Sequence, residues 1–307
     1  MATIGYQGSS SHDLLRIQNL QYFYPQPSPL IGAVFNFAPD TTANFNALVT
    51  QIEHRFRNGF QAAVNYTYSK SLDEVSAEGP GFTTNQTYPV DDSTEYGPSD
   101  FDATHYFRAW GIWDLPIFRN RHDWIGRIAG GWELNPIFEF HSGFPWTPVA
   151  SNDCNLVLGA ATICPIRPIG YLGGAGNDAS TAAFLPPTAN NFANGATTYF
   201  NVNGFGLPGV GRNTFRGPRF NSLDFSAAKN FALPDLPLFG ENARIELRAN
   251  FYNALNKLNL APFTFGSTST TVSYFNSNGI PAPNPLFGTA STGLAGRVVE
   301  LQARLSF

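Results

Sequence analysis

The 307-residue chain is long enough for two average domains, yet only 13% of it is charged, roughly half of the ~25% usual in soluble proteins. Aromatic residues reach 15%, with 28 Phe, 29 Gly and 23 Pro, a palette of strands and turns rather than helices. A formal net charge of −4 without any Lys/Arg cluster argues against a nucleic-acid partner. A mean hydropathy of −0.15 and the lack of any apolar run of about 18 residues exclude a transmembrane helix, but not a transmembrane β-barrel, whose strands are apolar only at alternate positions.

Ala2–Gly8 has strand pitch with no turn before it, and reads as the tail of a strand entering from an earlier segment. The first residues carry neither a basic n-region nor an apolar h-region, so no signal peptide is expected in this chain. Residues 9–43 read as a polar connection holding Tyr22, Phe23 and Tyr24. A hairpin follows. Leu48, Ile52 and Phe56 take one face of its first arm, and Gln51, Glu53 and Arg55 the other. Asn58-Gly59 supplies the positive φ of a tight turn, and the return arm puts Phe60, Ala62, Val64, Tyr66 and Tyr68 on one face.

Residues 71–103 read as a long loop, followed by strands from about Thr104 to Asp114 and up to His141, joined by a short link at 115–124. In the second of these strands Trp132, Leu134, Phe138 and Phe140 alternate with Glu133, Asn135, Glu139 and His141. Residues 144–218 form the longest irregular stretch. Strands are expected again from Phe220 to Phe231, from Ala243 to Leu255, and over Arg297–Phe307. In the last of them Val299, Leu301, Ala303 and Leu305 alternate with Glu300, Gln302 and Arg304, and the chain ends on the bare aromatic Phe307.

The expected fold is therefore all-β: an antiparallel transmembrane barrel segment of about eight strands. Its connections alternate long (9–43, 71–103, 144–218, 256–296) and short (57–59, 115–124, 232–241). Counted back from a periplasmic C-terminus, every short turn falls on the periplasmic side and every long loop outside, the pattern of outer-membrane barrels. A soluble sandwich has no reason to sort its loops by length in this way, and structureless loops of such size are uncommon in compact domains.

No nucleophile elbow, phosphate loop or metal-spaced set of ligands is present, and no catalytic residue, metal or cofactor is expected. The acidic stretch Asp91, Asp92, Glu95, Asp100 and Asp102 reads as a solvated loop in preference to a calcium site. Cys154 and Cys164 suit a loop disulfide in an oxidising compartment, with two separate thiols the other reading. The loop aromatics Tyr22, Phe23, Tyr24, Tyr88, Tyr96, Trp146, Tyr171, Tyr199 and Phe205 are candidates for stacking on sugar or peptide at a barrel mouth; the competing reading packs them against one another or into an aromatic girdle. Glu53, Arg55, Glu133, Glu139, Arg244, Glu246, Arg248, Glu300 and Arg304 are expected to face the lumen, where they line water, meet a plug or pair with one another.

The hairpin from Asn46-Ala47-Leu48 through Arg55-Phe56-Arg57-Asn58-Gly59-Phe60 to Tyr66-Thr67-Tyr68-Ser69-Lys70-Ser71-Leu72-Asp73 resembles the late barrel of Oar-like TonB-dependent outer-membrane transporters. So do Ile4-Gly5-Tyr6-Gln7-Gly8-Ser9, the run Arg248-Ala249-Asn250-Phe251-Tyr252-Asn253-Ala254-Leu255-Asn256, and Phe307 as a C-terminal assembly signal. The resemblance implies that residues 1–307 are the C-terminal part of such a barrel, without plug, TonB box or signal peptide. It also implies a place in the bacterial outer membrane and uptake of a bulky ligand such as an oligosaccharide, peptide or siderophore. The implied partners are outer-membrane lipid, the barrel assembly machinery, the absent N-terminal barrel and plug, and the TonB complex through those absent parts. The alternative is a small self-contained barrel serving as adhesin or anchor, in which the first and last strands pair.

Overall fold

A computed structural model describes residues 1–19, 35–76, 95–118, 121, 123–149, 211–233, 243–263, 269–271, 273–275, 281–284, 286–290 and 292–307. Thirteen strands and one short helix are described: β1 (Ala2–Asn19), β2 (Phe35–Arg57), β3 (Phe60–Asp73), β4 (Gly97–Pro98), β5 (His105–Asp114), α1 (Trp124–Ala129), β6 (Trp132–His141), β7 (Pro145–Trp146), β8 (Phe215–Arg216), β9 (Phe220–Ala232), β10 (Arg244–Tyr252), β11 (Ser273–Phe275), β12 (Pro281–Pro283) and β13 (Val298–Ser306).

Eight of them form an antiparallel meander in the order β1-β2-β3-β5-β6-β9-β10-β13, with β4 added at the end of β3. Among the described residues β1 pairs only with β2 and β13 only with β10, so the sheet is an open path. Register carries one face across all eight strands. Ala2 lies opposite Ile52, Ile52 opposite Val64, Val64 opposite Ala109, Ala109 opposite Phe138, Phe138 opposite Leu223, and further along β9 Phe225 meets Phe251, which meets Val299. The other face carries the polar set. Because the side-chain period is two, a slip of one residue anywhere would turn apolar residues to the polar side.

At the short-turn rim the β2–β3 hairpin closes through Asn58 (φ 54°) and Gly59 (φ +80°), the positive pair that matches strand twist. A Cβ at residue 59 would also meet Asp114 Cβ at 3.0 Å. β10 ends where Asn253 turns to φ 48° and its amide donates to Asp224 Oδ1 at 2.7 Å.

Three expectations change. Residues 9–19 and 35–43, read as connection, continue β1 and β2 as a two-stranded ribbon tied by Arg16–Asp40 (2.5 Å) and by Thr41 Oγ1 donating to Leu14 O (2.9 Å). Alternation is lost there because a ribbon beyond the crossing stretch need not keep one whole face apolar, and what it buries, Arg16 and Thr41, is polar. Second, the link after β5 contains α1, too short to show a helical period. Its signal was Asp123, whose carboxylate caps Gly126 N–H at 3.0 Å. The Arg121 guanidinium beside it (3.1 and 2.5 Å), with help from that amide, holds the Asp123 carboxyl below its ordinary value. Third, the long loops contain ordered pieces, the ladders β7–β8 and β11–β12 and the bridges Val149↔Thr271 and Leu260↔Gly293.

Leu301 is 79% exposed on the apolar face and Gln302 is its neighbour on the polar one. Leu301→Arg is expected to lower folding stability in lipid vesicles by about 2–4 kcal/mol, whereas Gln302→Arg costs far less; urea titration of vesicle-inserted protein checks the asymmetry.

Candidate functional site: the long-loop rim

The sheet proper is thin and mostly exposed, as a single layer must be, and most of the large, deeply buried side chains lie elsewhere. Glu95, Ser99, Asp102, Trp146, Thr147, Val149, Arg212, Phe215, Thr270 and Phe287 are all 2–3% exposed or less, and all belong to the connections at the long-loop rim. That rim carries a core of its own.

Its keystone is Arg212, whose side chain is 1% exposed. Nη2 donates to Asp73 Oδ1 and to Asp73 O, Nε to Glu95 O at 2.7 Å and Nη1 to Ser76 Oγ at 3.2 Å, with Asp100 Oδ1 3.5 Å from Nη1. A guanidinium has five donors in a fixed fork, and here they gather the end of β3, the strand β4 and the turn after it. Gly97 is required at that meeting, since a Cβ there would lie 2.7 Å from Arg212 O. Next in sequence, Asn213 adopts φ 54° and donates through Nδ2 to Pro98 O (2.7 Å) and Asp100 Oδ1 (2.6 Å), while its amide donates to Thr147 Oγ1 (2.8 Å). Arg216 pairs with Asp102, whose Oδ1 also accepts Ser71 N–H at 2.7 Å.

The acidic stretch is thus not a solvated loop. Glu95 and Asp102 are buried, and Asp100 and Asp102 answer arginines that lie more than a hundred residues away in sequence. No group of three His, Cys, Asp or Glu with metal-binding placement occurs among the described residues. Asp91 and Asp92 lie outside them.

Trp146 stands in a cage of Phe215 (5.4 Å), Phe263 (5.2 Å, edge-on) and Phe287 (5.6 Å) and is 2% exposed, so it packs loops together and offers no face to a ligand. Tyr96 remains 40% exposed, its hydroxyl accepting from Asn44 Nδ2 at 3.1 Å. Tyr22, Phe23, Tyr24, Tyr88, Tyr171, Tyr199, Phe205, Cys154 and Cys164 lie outside the described residues.

The ladder sets Glu53, Glu133, Glu139, Arg244, Glu246, Arg248, Glu300 and Arg304 on the polar face; Arg55 falls in the irregular stretch between His54 and Arg57. Arg248 pairs with Glu246 (2.9 Å), Glu139 sits opposite Arg108, and Glu300 accepts from Gln302 (3.1 Å) and Asn250 (3.3 Å). Just below the loop core, the same face carries a cluster that sequence reasoning did not single out. His141 stacks between Tyr106 (6.2 Å, 5° between planes) and Phe220 (5.1 Å, 14°), with Phe144 at 4.9 Å, and Tyr106 donates to Glu139 Oε1 at 2.6 Å. Strand parity held the signal, since Tyr106 and Phe220 are aromatics at positions that should be polar.

Arg212→Met would strand the buried Asp73 carboxylate, and breaking such a pair costs about 3–5 kcal/mol. Protease cleavage within residues 95–102 is expected to rise sharply in the variant, while the β-sheet circular dichroism of the strands persists.

Residues 1–299 match a family described as "Outer membrane beta barrel domain". No curated protein matches. Among solved structures the chain is similar to the outer membrane transporter YddB from Escherichia coli, at 9% identity and a TM-score of 0.47, over 98% of this chain and 30% of that one. The chain thus spans about a third of that transporter's length, and at this level the likeness says nothing of cargo or coupling. The family match covers nearly all of the meander and the rim above it, so the polar face is a barrel interior and the membrane is the bacterial outer membrane. By that match and by its ladder, the chain belongs to the outer membrane β-barrel domain family.

Proposed function

We propose that the chain is one sector of a larger outer-membrane transporter barrel of the TonB-dependent, Oar-like kind, and that it takes part in uptake of a bulky polar ligand met at the long-loop rim. The observation that carries this reading is the open meander: β1 and β13 each present a row of backbone N–H and C=O groups without a ladder partner among the described residues. Hydrocarbon does not tolerate such edges, so in this reading further strands flank both, and a barrel of many more than eight strands encloses room for cargo. Pairing of β1 with β13 would instead give the small adhesin or anchor, and the open path disfavours it.

The interior supports the same reading. Charges of both signs on the polar face suit a wetted or plugged lumen, and the Tyr106–His141–Phe220 stack beside Glu139 and Arg108 offers aromatic faces with hydrogen-bonding groups at the mouth. An oligosaccharide, a peptide or a siderophore would each use such a surface. The chain performs no covalent chemistry in this account, and energy coupling runs through a plug and a TonB complex outside it.

Two measurements test the proposal. Cysteines placed pairwise along β1 (Ile4→Cys, Tyr6→Cys) and β13 (Val299→Cys, Leu301→Cys) are expected to form no intrachain disulfide in outer membranes; a strong crosslink would establish the closed small barrel. In cells producing the protein, labelled oligosaccharides, peptides and ferric siderophores are expected to show accumulation of one class that stops when the proton-motive force is collapsed and drops several-fold in His141→Ala/Phe220→Ala. Absence of uptake for all three classes, with normal protein levels in the membrane, would rule out transport of these cargoes.

A further inference from the structure

At the opposite rim, the connection between β5 and β6 folds back against the apolar face, the side that meets lipid. Gly126 and Gly130 make the fold possible, because a Cβ at residue 126 would run into Arg121 O, and one at residue 130 into Gly126 O and, less closely, Phe118 O. Lys229 of β9 lies on the lipid side opposite Trp132 and Leu247, a costly place for an ammonium. It is 4% exposed, its Nζ donates to Gly130 O and to Ile128 O (3.2 Å), and it lies over the rings of Phe231 (5.0 Å) and Trp132 (5.8 Å). Carbonyl dipoles ease its burial but do not neutralise its charge.

Between this lysine, α1 and the start of the β9–β10 turn lies a recess of about 660 Å³, lined by Lys229, Arg121 and Arg127 among others. The cations there outnumber the acids. The nearby carboxylate, Asp123, is taken by Arg121 and by the Gly126 amide, and Asp114 and Glu133 at the same rim belong to the interior face. Arg127 has no carboxylate partner among the described residues. Beside the recess, apolar side chains stand unpacked: Trp124 is 72% exposed, Ile128 61% and Phe118 41%. Trp113 and Trp132 fall at this end of the lipid face, the level of an aromatic girdle.

We propose that this recess binds the phosphate of an anionic phospholipid of the periplasmic leaflet, with α1 lying in the interface and its Trp124 and Ile128 among the acyl chains. A free phosphate would explain the cations but not the exposed apolar rim next to them; a lipid explains both, one end to each. The site sits on the outside of the barrel wall, so it is independent of whether the barrel transports anything.

The test uses the full chain, extracted in mild detergent, incubated with equimolar phosphatidylglycerol and phosphatidylcholine and weighed by native mass spectrometry. Retention of phosphatidylglycerol is expected to exceed that of phosphatidylcholine, to fall on the order of fivefold in Arg127→Gln, and to fall further in Arg121→Gln/Arg127→Gln, which leaves the Asp123 carboxylate without its arginine beside the site. Arg57→Gln, at the neighbouring hairpin, should change nothing. Trp124→Ser/Ile128→Ser should weaken retention of both lipids. Arg127→Gln alters only an exposed side chain and keeps the test alive if the double variant inserts poorly. Equal retention of the two lipids by the parent protein, unchanged retention in Arg127→Gln, or displacement of the lipid by millimolar inorganic phosphate would each overturn the proposal.

Discussion

A peptide group that enters hydrocarbon without a hydrogen-bond partner carries a penalty of several kcal/mol, and the eight-strand ladder answers that demand for every strand except, among the described residues, its two outermost. The rest of the architecture follows from it. Each strand must be long enough to cross, alternate enough to serve lipid and lumen at once, and in register with its neighbour so that the two faces stay unmixed. The apolar row from Ile52 through Val64, Ala109 and Phe138 to Leu223 is the visible result. A single sheet obeying this rule has no hydrophobic core of the globular kind, because its greasy side chains are turned outward to solvent lipid.

The packed core appears instead where the membrane ends. At the long-loop rim water returns, and the chain there behaves like a small soluble domain with a buried aromatic cage around Trp146 and a polar centre at Arg212. Burying a guanidinium is tolerable because its donors are met by Asp73, Glu95 and Ser76. The consequence for function is mechanical: loops distant in sequence are tied into one surface, so the groups at the barrel mouth, Tyr106, His141 and Phe220, are held on a firm rim.

What could be read from the sequence follows the same division between lipid and water. Strands inside the membrane are legible because one face must be apolar: Phe60 to Tyr68 and Val299 to Leu305 announce themselves by period alone, and their observed registers keep those faces. Legibility stops where that pressure stops. The ribbon beyond Ser11 lies past the stretch that needs one apolar face and so loses the pattern, and α1 is under two turns long, leaving Asp123 as its only mark. The acids at 100 and 102 looked solvated because their arginine partners, at 212 and 216, stand beyond a long intervening stretch and no local spacing links them. Trp146 was indistinguishable from a ligand platform until its three phenylalanine neighbours, drawn from three separate segments, were in place.

The ribbon of β1 and β2 carries one more implication. A strand needs about 9–11 residues to cross the outer membrane, and counted up β2 from the turn at Asn58 that length ends near Ala47, opposite Gln7, a few residues before the register of β1 shifts on either side of Leu14, with Asp13 at φ 57°. The irregularity therefore falls near the water surface. Beyond it the ribbon continues to Asn19, roughly 27 Å at strand pitch, farther than any other strand of the meander reaches. It is a mast stepped at a joint, and any load on it passes to the sheet through β2, the strand that ties it to β3.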